Sequence, residues 1–205
     1  MDGANDRVEI ANTAAALRHG VSSISDSVVG QIGAGLPADE YLITLLEVTP
    51  TLVRLGSAAD YFHHEQIELW GLNGVGALPH HPKVSYYRGG ENKIGNRAKL
   101  FEFVVPMFPD NWLDKGITEQ YSETPQGEYP TAVALAVLDI KGPYDFDSER
   151  DIDEHWCLAH YVLDGHHKLL AAAETSRSVR LLSFVSVSKG IATREQIAGI
   201  LSSLT

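Results

Sequence analysis

The apolar positions of this chain change their spacing along its length, and the spacing predicts which elements form. Residues 10–19 carry Ala14, Ala15, Ala16 and Leu17 and stop at Gly20, the pattern of a short helix closed by a left-handed glycine. Residues 22–36 are rich in Ser and Gly and predict a flexible turn. Pro37, Asp39 and Glu40 then stand where a helix's first turn wants a proline and acids, and Leu42, Leu45 and Leu46 repeat at helical spacing up to Pro50. Residues 51–62 fit a helix by their apolar pattern but hold Gly56 in the middle. Between 66 and 107 the character changes. Residues 67–70, 84–87 and 100–105 are short β-branched or aromatic runs set apart by Gly, Asn and Pro, which predicts strands and turns. Residues 106–130, crowded with Pro, Asp, Asn, Gly and Gln, predict a long loop.

The last third is the most regular. Residues 131–140 form an unbroken apolar run of strand length, as a central strand buried on both faces requires, and Gly142-Pro143 closes it. Asp147 or Ser148 can cap a helix running to about Leu158, with Asp151, Asp153 and Glu154 near its positive end. Residues 159–163 predict a short strand, Asp164-Gly165 a turn, and residues 167–174, with Leu169, Leu170 and three alanines, a helix. A strand follows at 179–187. Thr193 then opens a final helix, with Glu195 and Gln196 where a capping box places an acid or amide. The pattern predicts an α+β protein in which residues 1–130, helical and then strand-rich, form an extension packing on a C-terminal part, residues 131–205.

Composition narrows the class. At 205 residues the chain can bury a full core, and 44% hydrophobic with 21% charged residues excludes wholesale disorder. Sixteen Lys and Arg against 27 Asp and Glu give a net charge of −11, which repels a polyphosphate backbone and disfavours nucleic acid as a partner. The single cysteine, Cys157, cannot close an internal disulfide, and the acidic start Met1-Asp2-Gly3-Ala4-Asn5-Asp6 is unlike a signal peptide, so the cytoplasm is the expected location. No apolar stretch nears the roughly 20 residues that cross a bilayer, which predicts no membrane partner. The expected partners are a small-molecule substrate and, as one option, a second copy of the chain.

The segment richest in chemistry is Asp164-Gly165-His166-His167-Lys168, between a predicted strand and an alanine-rich helix. Glycine lets the chain turn sharply and bring its backbone close to a ligand, while the first N–H groups of the next helix have no intrahelical partner. That combination suits an anion. Two imidazoles and an ammonium add donors to a partial positive charge of about half a unit from the helix dipole. The plainer alternative is a turn bearing a solvated His-His-Lys. Gly30, Gly33 and Gly35 are a weaker candidate, because Pro37 follows too soon for the helix that a dinucleotide-binding glycine run requires.

The segment Tyr161-Val162-Leu163-Asp164-Gly165-His166-His167-Lys168-Leu169-Leu170-Ala171-Ala172-Ala173 resembles the second conserved box of the ParB/sulfiredoxin-like superfamily, where a strand ends in Gly-x-Arg/His-Arg and a helix follows. Leu138-Asp139-Ile140-Lys141-Gly142-Pro143-Tyr144 is similar to the superfamily's first strand and its proline-marked exit, and residues 179–187 to the strand after the box helix. The resemblance implies a mixed sheet with flanking helices. It also implies that the box holds nucleotide phosphates, as it does for ATP in sulfiredoxin, CTP in ParB and ADP or ATP in the free-serine kinases. On that basis Gly165, His166, His167 and Lys168 are the expected phosphate contacts, with Asp164 shaping the turn. The likeness spans residues 131–188 and departs in three places. Lys168 stands where arginine is usual, keeping the charge and losing bidentate geometry. His166 occupies the place of sulfiredoxin's catalytic cysteine, which argues against sulfinic-acid reduction. Between Tyr144 and Tyr161 the chain is shorter than the superfamily's helix, turn and strand.

The function implied is a Mg²⁺-dependent phosphotransferase using ATP or ADP on a small metabolite. Two alternatives stand beside it: a nucleotide-responsive binding or regulatory module without turnover, and a histidine-based metal-dependent hydrolase or nuclease. Asp145, Asp147, Glu149, Asp151, Asp153 and Glu154 lead up to the box and either decorate a helix start or supply Mg²⁺ ligands. Glu154, Asp151 and His166 are the candidate catalytic residues. Arg88, Lys93 and Arg97 surround a glycine turn and either form a hairpin tip or hold a second anionic group. The pairs His63-His64, His80-His81 and His166-His167 raise the metal question, but neighbours in sequence diverge, so each pair supplies one ligand at most.

Overall fold

The apolar run at 131–140 forms the middle of the molecule. In the computed structural model, which describes residues 13–64, 84–125, 130–141 and 154–204, it is the strand β5 (Thr131–Lys141) of a seven-stranded mixed sheet. The other strands are β1 (Tyr41–Val48), β2 (Thr51–Val53), β3 (Tyr86–Lys93), β4 (Ala98–Val105), β6 (Glu154–Asp164) and β7 (Val179–Ser186), in the order β1-β7-β5-β6-β4-β3-β2. Two neighbouring pairs, β4 with β6 and β5 with β7, are parallel, and the rest are antiparallel. The helices are α1 (residues 13–19), α2 (Asp26–Gly33), α3 (Tyr61–His64), α4 (Lys115–Ser122), α5 (His166–Thr175) and α6 (Arg194–Leu204). The chain is therefore α+β with a mixed sheet. Strands from before residue 130 flank the β7-β5-β6 centre on both sides, so one sheet runs across the expected boundary. Among the described residues no helix is long and apolar enough to cross a membrane.

Alternation along the strands builds two cores. On one face Ala132, Ala134, Leu181 and Val162 pack under Leu169 and Ala172 of α5, while Ala136, Leu138, Leu158 and Val185 pack under Ile197, Ile200 and Leu201 of α6. On the other face Val133, Leu182 and Phe184 meet Leu17 of α1 and Val28 of α2, and Phe101, Phe103 and Cys157 meet Tyr61 and Phe62 of α3. β5 is thus covered on both sides over residues 132–138, as the apolar sequence there anticipates.

The strand at 179–187, the helix at 167–174 and the final helix match β7, α5 and α6. Thr193 and Gln196 close the expected capping box, Thr193 N–H donating to Gln196 Oε1 at 2.7 Å and Gln196 N–H to Thr193 Oγ1 at 3.3 Å. Four expectations are corrected. The helix expected from Pro37 is the strand β1, because residues 41–48 bury both faces, Ile43 and Leu45 toward α2, Leu46 and Val48 toward α5, and pair with β7 along their whole length. A run apolar on both sides carries no period to distinguish the two. The turn expected at 22–36 contains α2, whose Val28, Val29 and Ile32 form a stripe that packs on the sheet despite Gly30 and Gly33. The loop expected at 106–130 contains α4, capped where the Asp114 carboxylate accepts the Ile117 N–H at 3.1 Å. The helix expected to reach Leu158 is, from Glu154 onward, the first half of β6, held by ladders to β4 and β5 on both sides. The strand expected at 67–70 lies outside the described residues.

Candidate functional site

β6 ends at Asp164, Gly165 turns the chain with φ +98°, and α5 begins at His166. The glycine is required twice over: a left-handed φ disfavours a side chain, and a Cβ here would stand 2.7 Å from the Cβ and 2.8 Å from the Cα of Ala132. The α5 start has no side-chain cap, so its first-turn N–H groups are not met by a local acceptor.

The three side chains after the glycine are each engaged. The Nζ of Lys168 donates to the Thr131 carbonyl at 2.8 Å and to Asp164 Oδ2 at 3.1 Å, and lies 5.9 Å from the centre of the Tyr121 ring. Burial holds its ammonium below the usual lysine range, with Asp164 opposing. The His166 ring stacks on Phe108, centroids 3.9 Å apart, and its Nε2 accepts the Met107 N–H at 3.2 Å. Burial pushes its pKa down, which suits a ring nitrogen that must keep its lone pair to accept. His167 Nε2 accepts the Asp114 N–H at 3.0 Å, tying α5 to the cap of α4. The two imidazoles therefore fasten residues 107–114 onto the helix mouth.

A cavity of about 380 Å³ opens beside this turn. Gly165, Asp164, His167 and Lys168 form its floor, α1 and α2 supply Arg18 and Gln31, and α4 supplies Tyr121. Arg18 is exposed, and its charge adds to the depression of the Lys168 pKa, which places two cations at one opening. A phosphate group fits this combination of an uncapped helix start, a close-approaching glycine backbone and a guanidinium. Magnesium has one carboxylate here among the described residues, Asp164, already paired with Lys168.

The other expected residues lie elsewhere. Glu154 begins the strand that Asp164 ends, ten residues or about 33 Å away along an extended chain, and its Oε2 accepts the Trp156 indole N–H at 2.9 Å. It is not at the helix mouth. Asp151 and the acids from 145 to 153 lie outside the described residues, as do His80, His81 and the side chains of His63, His64 and Lys93. Arg88 lies over the Phe101 ring, 5.7 Å from its centre, and the Arg97 carbonyl accepts the Glu154 N–H at 3.1 Å, so neither joins the cavity. Among the described residues no group of three or more His, Cys, Asp or Glu could hold a metal ion.

Compared with protein-family models, with curated proteins and with solved structures, the chain matches none. Its reading rests on its own geometry.

Sequence reasoning missed one buried polar row. Ser183 of β7, His160 of β6 and Glu102 of β4 share the face under α5 and α6: Ser183 Oγ lies 2.8 Å from His160 Nδ1, and His160 Nε2 lies 3.4 Å from Glu102 Oε1. His160 and Ser183 are fully buried, and neither the Glu102 Oε1 nor the His160 Nε2 has a hydrogen-bond partner. β5 lies between β6 and β7 and offers only Ala134 and Ala136 there, small enough for the imidazole to reach across. The sequence signal is one polar residue flanked at i−2 and i+2 by apolar ones in each of three strands: Leu100 and Val104 about Glu102, Leu158 and Val162 about His160, Leu181 and Val185 about Ser183. Pairing them needs the register, which no single strand reveals.

Proposed function

We propose that the chain binds a phosphate-bearing small molecule, ATP or ADP in the first instance, at the mouth of α5, and acts as a nucleotide-responsive binding module. The observation that carries this is the cavity itself: a space within the size range of small-ligand sites, at which an uncapped helix start, the Gly165 backbone, Arg18 and Lys168 converge in a chain of net charge −11. The ParB/sulfiredoxin-like reading of residues 131–188 supports the same place and belongs to the same proposal.

Binding is favoured over turnover because two expected catalytic groups are out of reach. His166 is stacked beneath Phe108 with its acceptor nitrogen occupied, and Glu154 stands at the far end of β6. A general base must come within hydrogen-bond reach of the proton it takes. A Mg²⁺-dependent phosphotransferase remains the second reading on one observation, the largely exposed Asp164 carboxylate at the cavity edge, which is placed to meet a metal or a substrate hydroxyl.

The test is a thermal-shift series with phosphate, ATP, ADP and CTP, each with and without Mg²⁺. The proposal expects stabilisation by at least one nucleotide, lost in Arg18→Glu and in Ala14→Trp, two exposed lining positions whose change leaves the core intact. No shift with any of these ligands, or a shift that survives both substitutions, overturns it. ATP consumption that appears only on adding a metabolite mixture, and disappears in Asp164→Asn, would establish the second reading instead.

A further inference from the structure

At the opposite end of β6 from the helix mouth a second hollow, of about 680 Å³, lies between α6, the starts of β4 and β6 and the end of β3. We propose that it binds an uncharged sugar ring, stacked on Trp156. The chemistry of the lining carries this. Trp156 is half-buried, one side resting on the core beneath α6, and its indole N–H is held by Glu154 Oε2 at 2.9 Å, so the ring has a fixed plane. Asn92, Gln196 and Ser203 line the hollow with it, and among the described residues Glu154 is the sole charged side chain of the lining.

An anion is repelled by that charge, and among the described residues no cation lines the hollow to receive one. An aromatic plane rimmed by amides, a hydroxyl and a carboxylate suits a ligand with one apolar face and a rim of groups that both donate and accept. A pyranose has that division: its C–H bonds meet the electron-rich face of the indole, and its hydroxyls meet the rim. The rim has capacity to spare. Gln196 spends its Oε1 on the Thr193 N–H, which leaves its amide N–H groups to donate, and Glu154 keeps Oε1 as an acceptor. Gly199 is the second independent observation. It sits in the middle of α6, has no positive φ, and a Cβ there would meet nothing within 4 Å, so the chain's own packing does not call for glycine. It lines the hollow together with Trp156.

The test uses the full chain with Trp70 and Trp112 replaced by phenylalanine, so that Trp156 is the sole tryptophan emitter. Maltotetraose, cellotetraose and chitotriose are titrated while its emission is followed. The expected result is a saturable shift with at least one of the three, weakened at least about tenfold by Gly199→Leu, which fills the hollow while leaving the melting temperature equal or higher. Trp156→Ala should abolish binding in calorimetry. No saturable change with any oligosaccharide, a change undiminished by Gly199→Leu, or saturation only by choline or betaine overturns the proposal. Because ATP binding is read separately by thermal shift, failure here leaves the helix-mouth reading standing, and the reverse also holds.

Discussion

Three glycines in this chain separate two costs that usually arrive together. Gly56 has φ +74° with nothing within 4 Å of a built Cβ, so Gly56→Ala meets only the conformational penalty of a left-handed alanine, about 1–2 kcal/mol. Gly190 has no positive φ, but its Cβ would stand 2.5 Å from the Leu138 carbonyl oxygen, so Gly190→Ala meets only overpacking against the β5 backbone, about 1–3 kcal/mol. Gly165 carries both, φ +98° and a 2.7 Å approach to Ala132. Each substitution also removes about 0.4–1 kcal/mol of unfolded-state entropy, a gain common to all three that cancels in their differences. Gly165→Ala should therefore cost about 2–4 kcal/mol net, a large share of the 5–15 kcal/mol typical of a folded domain, and more than either control. Urea unfolding followed by far-UV circular dichroism measures this, with an unchanged m-value as the condition for comparing midpoints. If Gly165→Ala proves no more costly than Gly56→Ala, then β5 yields to the turn, and the claim that the helix mouth is seated rigidly on Ala132 fails.

Other outcomes follow from single contacts. His166 has a pKa depressed below 6.5 in the folded chain, so the unfolded state takes up the proton first. Stability should fall as pH drops below about 6.5, and His166→Gln should flatten part of that slope in urea midpoints taken from pH 8 to pH 5; parallel curves for the two proteins would contradict it. Replacing His160 by Leu removes the imidazole that lies 3.4 Å from the buried Glu102 Oε1 and strips Ser183 Oγ of its ring-nitrogen partner, and should cost about 3 kcal/mol or more, whereas His160→Leu with Glu102→Leu should recover much of the loss; a double variant as weak as the single refutes the pairing. Thr193→Ala removes one bond of the α6 capping box and should lower stability by about 1 kcal/mol, read as a shift of the thermal midpoint.

How much of this could be read beforehand depends on where the deciding contacts lie. α5, α6 and β7 were legible because their signals are local: alanine content, a capping pair, a short β-branched run. The turn at Gly165 was legible for the same reason, since a glycine between a strand and a helix former has few other uses. β1 and the first half of β6 were not, because both are apolar or mixed on two faces and become strands only through partners far away in the chain, β7 for one and β4 with β5 for the other. Around that turn the sequence carried the side chains but not the backbone groups that meet them. His166, His167 and Lys168 do gather at the α5 mouth, but nothing in their spelling announces Met107, Asp114 and Thr131, whose backbone groups occupy them.

The arrangement of the helical layer explains why hollows occur where they do. α5 covers the Asp164 end of β6 through the cluster around Val162, and α6 covers the Glu154 end through the cluster around Leu158. His160 lies midway between Leu158 and Val162 on the strand, so the Ser183–His160–Glu102 row runs between the two clusters. The layer leaves a hollow near each end of β6. At one end the first turn of α5 runs out over Gly165 and the gap is bordered by Arg18, Lys168 and Asp164; at the other Gly199 of α6 lines a gap bordered by Trp156, neutral amides and the Glu154 carboxylate. A single strand thus connects two openings of opposite character about 33 Å apart. It is ladder-bonded on both sides, with a single register shift opposite Val133 and Ala134 at its Asp164 end, and the polar row crosses it at one level rather than running along it.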